Sequence, residues 1–291
     1  MHTSPAIELT DFPSMLNLYR RAITRRKPAT RTQDLPTITV SLSGIKIDRQ
    51  RLTTYRELCG FKDNGLLPIT YPQILAFPLH MEILVNKNFP YKAMGMVHLN
   101  NQITQLRRIK QNEVLDLKST LEGIEKTAKG DVVTLSTEVT INKELVWTNK
   151  SQYLKRAKQT NKSESKKSLE PVSAQLKRAR FHAPANIGRV YGRISGDLNP
   201  IHLFAVTAKL FGFKQQIAHG LWAKALCLAH LDQFVSNTPV SIEVSFKTPI
   251  FLPSDIELAY SVEGDSVSFL LQDSLGEKPH ITGKISRPTI L

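Results

Sequence analysis

Cysteine is nearly absent from this chain. Cys59 and Cys227 are the only two in 291 residues, which excludes a disulfide framework and a cysteine-built zinc site. No uninterrupted apolar run approaches the roughly 18 residues a membrane span needs, so no transmembrane segment is expected. The first 35 residues lack the apolar core of a secretory signal. A reducing, cytoplasmic setting is the resulting expectation. Charged residues are 22% and hydrophobic residues 41% of the total, which excludes wholesale disorder and the fibrous classes. The length suggests two domains.

Acidic residues are in short supply, giving a formal charge of +14. Residues 181–291 are neutral, so the excess belongs to the front half and to one polar stretch. Between Lys150 and Arg180 the only acids are Glu164 and Glu170, against ten basic residues. At its centre, Gln159 to Ser168 contains no apolar residue and cannot offset its ordering entropy by burial. It reads as a basic flexible linker over 156–176, or as an electrostatic dock for an acidic partner. No recognition motif or aromatic-basic interleaving accompanies it, so nucleic acid is an unlikely partner.

Self-similarity organises the rest. Ala218-His219-Gly220-Leu221 aligns with Ala76-Phe77-Pro78-Leu79 at an offset of 142, and Asp255–Leu258 aligns with Glu113–Asp116 at the same offset. A diverged duplication follows, each copy holding one apolar helix and several strands. In the second copy, Ile217–Leu231 is apolar on nearly all sides and predicts a buried helix. Period-two alternation and turn residues predict strands at Val240–Phe246, Ile256–Val262, Val267–Gln272 and Ile281–Ser286. In the first copy the helix is expected at Ile74–Val85, with strands near 38–47, 97–106, 114–121, 132–141 and 145–148. The fold class is therefore α+β, each unit a curved antiparallel sheet around a buried central helix. Four segments are expected: an N-terminal helix (Phe12–Ile23) and basic segment over 1–35, a first unit over 36–155, the linker, and a second unit over 177–291.

The run Tyr191-Gly-Arg-Ile-Ser195-Gly-Asp197-Leu-Asn199-Pro-Ile-His202 carries the chemistry. Asn199 caps a helix whose first position is Pro200, and the spacing predicts that helix over Pro200–Phe211, stopped by Gly212. His202 then sits in its first turn and Asp197 in the loop before it. Spacing alone leaves two readings open: an acid/base pair at one helix mouth, or polar groups that merely decorate a helix start.

The motif Ser-Gly-Asp-Leu-Asn-Pro-Ile-His, followed by Gly212-Phe213 and Ile217-Ala-His-Gly-Leu-Trp222, resembles the signature of the MaoC-like dehydratases, the type 2 (R)-specific enoyl-thioester hydratases. The resemblance implies a double hotdog fold and the catalytic residues Asp197 and His202. It also implies that the Gly220 amide binds the thioester oxygen. Ser195, Asn199 and His219 are expected in supporting roles. At the 142 offset Asp197 falls on Tyr55, His202 on Gly60 and Gly220 on Pro78, which has no N–H, so the first copy is expected to be silent. Its apolar segment near Tyr71–Leu84 then faces the acyl chain or is simply core.

The implied activity is reversible dehydration of (3R)-hydroxyacyl thioesters to trans-2-enoyl thioesters in fatty acid metabolism. No cofactor and no metal is implied. The partner is an acyl-CoA or acyl-ACP substrate, with an acidic acyl carrier protein suited to the basic surface. A non-catalytic thioester-binding scaffold and a basic adaptor for nucleic acid or membrane are the rival readings. The chain is expected to be a monomer or a homodimer.

Overall fold

The computed structural model describes residues 6–24, 37–157 and 176–288. The expected linker core and the basic run after the first helix lie outside these residues. Within the described residues eleven strands form one sheet in the order β1-β2-β4-β5-β6-β3-β8-β11-β10-β9-β7. β1 (Ile7–Leu9) lies parallel to β2 (Thr39–Ile45), and every other pairing is antiparallel. The remaining strands of the first half are β3 (Val97–Gln105), β4 (Leu115–Thr127), β5 (Gly130–Ile141) and β6 (Glu144–Arg156). Those of the second are β7 (Lys177–Ala183), β8 (Val240–Phe246), β9 (Ser254–Glu263), β10 (Ser266–Asp273) and β11 (Pro279–Ser286).

From the seam between β3 and β8 outward, the two halves match strand for strand. β3, β6, β5, β4 and β2 on one side answer β8, β11, β10, β9 and β7 on the other. Each half is a hotdog, and the register Asn100↔Ser245 through Gln105↔Val240 fuses the two. The strands alternate as read from the sequence. In β4, Leu115, Leu117, Ser119 and Leu121 are buried while Lys118 and Glu122 face outward or to the rim. Among the described residues no helix is long and apolar enough to cross a membrane.

Among the described residues seven α-helices accompany the sheet: α1 (Met15–Thr24), α2 (Arg49–Cys59), α3 (Tyr71–Leu84), α4 (Ile187–Ser195), α5 (Ala205–Leu210), α6 (Gly220–His230) and α7 (Asp232–Val235). Central helices α3 and α6 are wrapped by their sheets. Every residue of α3 is buried except Phe77 and Glu82. Each fully buried Leu or Ile there, such as Leu79 and Ile83, stabilises the fold by about 1.5–3 kcal/mol. Glu82 binds Arg21 at 2.7 Å and so ties α1 to α3.

Three expectations are corrected. First, Pro200–Phe211 is not one helix. A 3-10 turn over Pro200–His202 ends at Leu203, extended Phe204 breaks the chain (φ −144°), and α5 starts afresh. Second, β6 outruns the strand expected at 145–148 and continues to Arg156, and β7, where Arg178 and Arg180 bind the nearly buried Glu257, is a strand with no counterpart among those expected. Third, the 142 offset does not relate the helices. Pro78 lies in the middle of α3, seven residues beyond its start, whereas Gly220 begins α6. The helix-ending glycines Gly60 (φ +84°) and Gly196 (φ +82°) align α2 with α4, which pairs Tyr55 with Tyr191 and sets Phe61 opposite Asp197. A single offset fails because the segment from α4 to α6 (196–219) is roughly twice as long as that from α2 to α3 (60–70).

Candidate active site

Asp197 leaves the end of α4 in a loop pressed against that helix. A Cβ on Gly188 would meet the His202 carbonyl oxygen at 2.0 Å, and one on Gly192 would meet the Asp197 carbonyl oxygen at 2.8 Å. Only glycine lets the loop approach so closely, and α4 is thereby the platform for both residues. Ser195 Oγ accepts from the Asp197 N–H at 3.2 Å. Asn199 does cap the short turn, its Oδ1 accepting from the Ile201 N–H at 3.4 Å.

The Asp197 carboxylate is held by two donors, the Asn199 N–H at 3.2 Å and the Tyr19 hydroxyl at 3.1 Å. Tyr19 stands on α1, and its Oη also accepts from the Leu198 N–H at 2.8 Å. About a quarter of the Asp197 side chain stays exposed, toward the cavity. Burial pushes its carboxyl up, but His219, then His202, and the two donors outweigh that and hold it below the usual carboxylate value.

His202 is buried, and its Nδ1 donates to the Ile217 carbonyl at 2.8 Å. That contact fixes the tautomer and leaves Nε2 with its lone pair. Burial pushes the His202 imidazole down, against the opposing pull of Asp197, so the ring is neutral near pH 7. His219 stacks on His202 with centroids 3.7 Å apart and planes 27° apart. Its Nε2 donates to the Asp197 carbonyl at 2.9 Å, and burial pushes its pKa down to about 3.

These three side chains bring possible ligand atoms within 4.8 Å of one another, the residue set of a metal triad. Face-to-face rings, however, run their lone pairs side by side, while metal ligands must converge on one point. One nitrogen of each ring donates to a carbonyl, so each ring presents a single lone pair. The donor set suits proton handling rather than a cation.

Gly220 opens α6, so its N–H belongs to the first turn and has no intrahelical acceptor. Among the described residues no other acceptor meets it. A Cβ there would lie 2.8 Å from the Phe246 ring. Asp197, His202 and Gly220 all line one cavity of about 270 Å³, together with Ser195, Asn199 and His219. The first half supplies the opposite wall through Ile74, Phe77, Met81 and Leu84 of α3 and Met94 and Met96 of the loop before β3. The apolar face of α3 is thus both core and cavity wall. Exposed Arg156 and Lys247 mark the mouth.

Tyr19 is the site residue that the sequence reading missed. It lies 178 residues from its partner in a segment without a motif. The glycine pair Gly188/Gly192 was the one unused signal, since glycines four apart in a helix indicate close approach of another backbone.

The fold and site define a double hotdog protein whose rear half brings a partly exposed Asp197, a buried His202 and a first-turn main-chain amide to one cavity. The chain belongs to the MaoC-like dehydratase family. The model of the MaoC-like domain matches residues 155–283. The chain is similar to 3-hydroxyacyl-thioester dehydratase X of Mycobacterium tuberculosis, 31% identical over 95% of this chain and 99% of that protein. The crystal structure of HtdX of the same organism superposes with a TM-score of 0.75 at 28% identity, covering 86% of this chain and 100% of that one. The MaoC-like dehydratase of Phytophthora capsici shares the fold, with a TM-score of 0.70 at 20% identity over 89% of this chain and 98% of that one.

Proposed function

We propose that this chain interconverts (3R)-hydroxyacyl thioesters and trans-2-enoyl thioesters plus water, with Asp197, His202 and the Gly220 amide as its catalytic groups. The observation that carries this reading is the convergence of those three groups on one cavity in a member of this family. Dehydration takes a proton from C2 and delivers one to the hydroxyl leaving C3, so no net proton is consumed. The neutral His202 Nε2 and the ionised Asp197 carboxylate together relay these protons, a contribution worth about 10²–10⁴ in rate. Charge building on the thioester oxygen meets the Gly220 N–H at the positive end of α6, and losing such a donor costs about 10²–10³. Ser195, Asn199 and His219 position the loop and the rings through the bonds given above.

The first half is proposed to be silent. Phe61 stands where Asp197 does in the second half, and the first N–H of α3 is already bonded to the Pro68 carbonyl at 2.8 Å. Its contribution is the cavity wall. Residues 177–291 carry the catalytic unit, and the carrier is CoA or acyl carrier protein. Arg156 and Lys247 at the mouth suit the phosphates of either, and the basic front surface favours docking of an acidic carrier protein. The cytoplasm is the proposed compartment, in keeping with two buried, unpaired cysteines.

Hydration of crotonyl-CoA, followed by loss of enoyl absorbance, tests the assignment. Wild type is expected to turn over, and Asp197→Asn and His202→Ala are each expected to lose at least about a hundredfold in kcat/KM. Variants as active as wild type would remove both residues from the mechanism.

A further inference from the structure

The second half carries a bare apolar patch beside its catalytic loop. Thirteen large apolar side chains are exposed among the described residues, and five of them, Leu198, Phe204, Val206, Leu210 and Phe211, lie on α5 or close to its ends. Val206 is 75% and Leu210 81% exposed. Four residues apart, they share one face of α5, so that face is hydrocarbon turned to water.

The patch borders the cavity. Phe204 follows His202 by two residues and Phe211 precedes Phe213 by two, and both His202 and Phe213 line the cavity. At about 3.8 Å per residue, the Cα atoms of Phe204 and Phe211 lie within about 8 Å of those wall residues. Two bonds moor α5 there. Thr207 Oγ1 donates to the Pro200 carbonyl at 2.6 Å, and the Phe213 N–H donates to the Ala208 carbonyl at 3.2 Å.

Cations frame the patch. Between residues 186 and 219 stand Arg189, Arg193, Lys209 and Lys214, and the one acid is Asp197, which faces the cavity. The second half is neutral as a whole, so positive charge is concentrated on this segment. None of the four cations meets a carboxylate among the described residues. Arg189 and Lys214 instead lie over the Phe204 and Phe251 rings, at 5.1 and 5.9 Å.

An acidic occupant follows from the charge, and the composition says which kind. A second copy of this chain would set the same cations face to face in an isologous contact. A folded partner takes about 20–30 residues a side and about ten hydrogen bonds. From 198 to 214 the exposed residues are Leu, Phe, Val, Lys and Gly alone, with no exposed amide, hydroxyl or carboxyl side chain to make such bonds. Hydrocarbon ringed by Lys and Arg is what an anionic bilayer surface accepts: apolar groups enter the acyl boundary while cations meet headgroup phosphates.

We propose that α5 and its flanks seat this protein on an anionic lipid surface, with Val206 and Leu210 entering the acyl boundary and Lys209 and Lys214 on the headgroups. Such seating goes beyond the dehydratase activity and does not depend on it. It brings the cavity beside the bilayer, where amphipathic acyl thioesters gather.

Co-sedimentation of the full chain with vesicles tests this, comparing phosphatidylcholine alone with an equal mixture of phosphatidylcholine and phosphatidylglycerol. Wild type is expected to bind the mixed vesicles at least about tenfold more tightly. The pair Val206→Gln and Leu210→Gln, which leaves the charge unchanged, is expected to weaken that binding at least about tenfold at an unaltered Tm. Leu145→Gln is the control. Leu145 is also exposed, but it lies on β6 about 36 Å along the strand from Arg156 at the mouth, and binding is expected to stay within about twofold. Lys209→Gln with Lys214→Gln is expected to cut binding to the mixed vesicles at least about tenfold, and decides the matter if the apolar pair fails to fold. Wild type that binds neither vesicle overturns the proposal, as does a folded apolar pair that binds like wild type. Two further results overturn it by giving the patch to a protein: a wild-type dimer that Leu210→Gln dissociates, or saturable binding of an acidic acyl carrier protein through Leu210 with no vesicle binding.

Discussion

The two hotdogs share a strand order and a helix plan, yet one presents chemistry and the other a wall. The difference is concentrated in the segment before the central helix. In the second half, α4 offers Gly188 and Gly192, and the loop behind Gly196 settles onto them with its backbone almost touching the helix. In the first half, the equivalent positions of α2 are Leu52 and Arg56, both buried. Arg56 is committed to the Leu66 carbonyl, Gln111 and Asp63. The shorter 60–70 connection is held to that face through the Arg56 side chain rather than backbone against backbone, and it leads directly into α3. Site and scaffold thus differ less in their sheets than in how closely one loop approaches one helix.

The sharpest way to break this comparison is to give α4 a side chain where α2 has one. Gly188→Ala places a Cβ on the His202 carbonyl, and backbone cannot yield as a flexible side chain does. Crotonyl-CoA hydration is expected to fall by at least about a hundredfold, with a lowered Tm on thermal melting. Adding the same methyl to the first half at Gly123, where a Cβ meets nothing within 4 Å, is expected to leave hydration within about twofold.

A second, intermediate effect concerns pH. His80, His98, His202 and His219 all have folded-state pKa values below the ordinary imidazole value, because burial penalises the charged ring. The unfolded chain therefore takes up protons first as pH falls below about 6.5. Stability is expected to be fully present above that pH and to fall toward pH 3–4, by about 1.4 kcal/mol per pH unit for each ring that stays neutral. Urea unfolding at a series of pH values reads the slope. A slope flat from pH 7 to 5 would contradict the buried, neutral histidines in both halves.

The smallest expected effect separates α1 from the second half. Tyr19→Phe removes one donor from Asp197 but leaves the Asn199 amide in place. A loss of about three- to tenfold in kcat/KM is expected, with the acidic limb of the pH–rate profile moved up as the carboxylate loses stabilisation. An unchanged profile would make Tyr19 a packing residue only.

Much of the architecture was legible. Strands β8 to β11 lie within two residues of their expected limits, because one face of each is core and alternation is then obligatory. The all-apolar runs correctly indicated buried α3 and α6. Helix α2 was not read because only Leu52, Tyr55, Arg56 and Cys59 of its residues are buried, too thin a stripe to detect. In α4 the glycines that make the site look like helix breakers. The motif named Asp197, His202 and Gly220, and the structure brings all three to one cavity. It was silent on Tyr19, because long-range folding rather than local sequence brings that residue to the cavity.

The bond from Tyr19 to Asp197 has a consequence for how the molecule is made. Ribosomes add about 5–20 residues per second, so the tyrosine waits roughly 10–40 seconds after its own synthesis before its aspartate exists. Over that interval α1 must stay available while the residues between the two are translated. A helix made early thus finishes its job late, and a nascent chain halted before residue 197 has no acceptor for it.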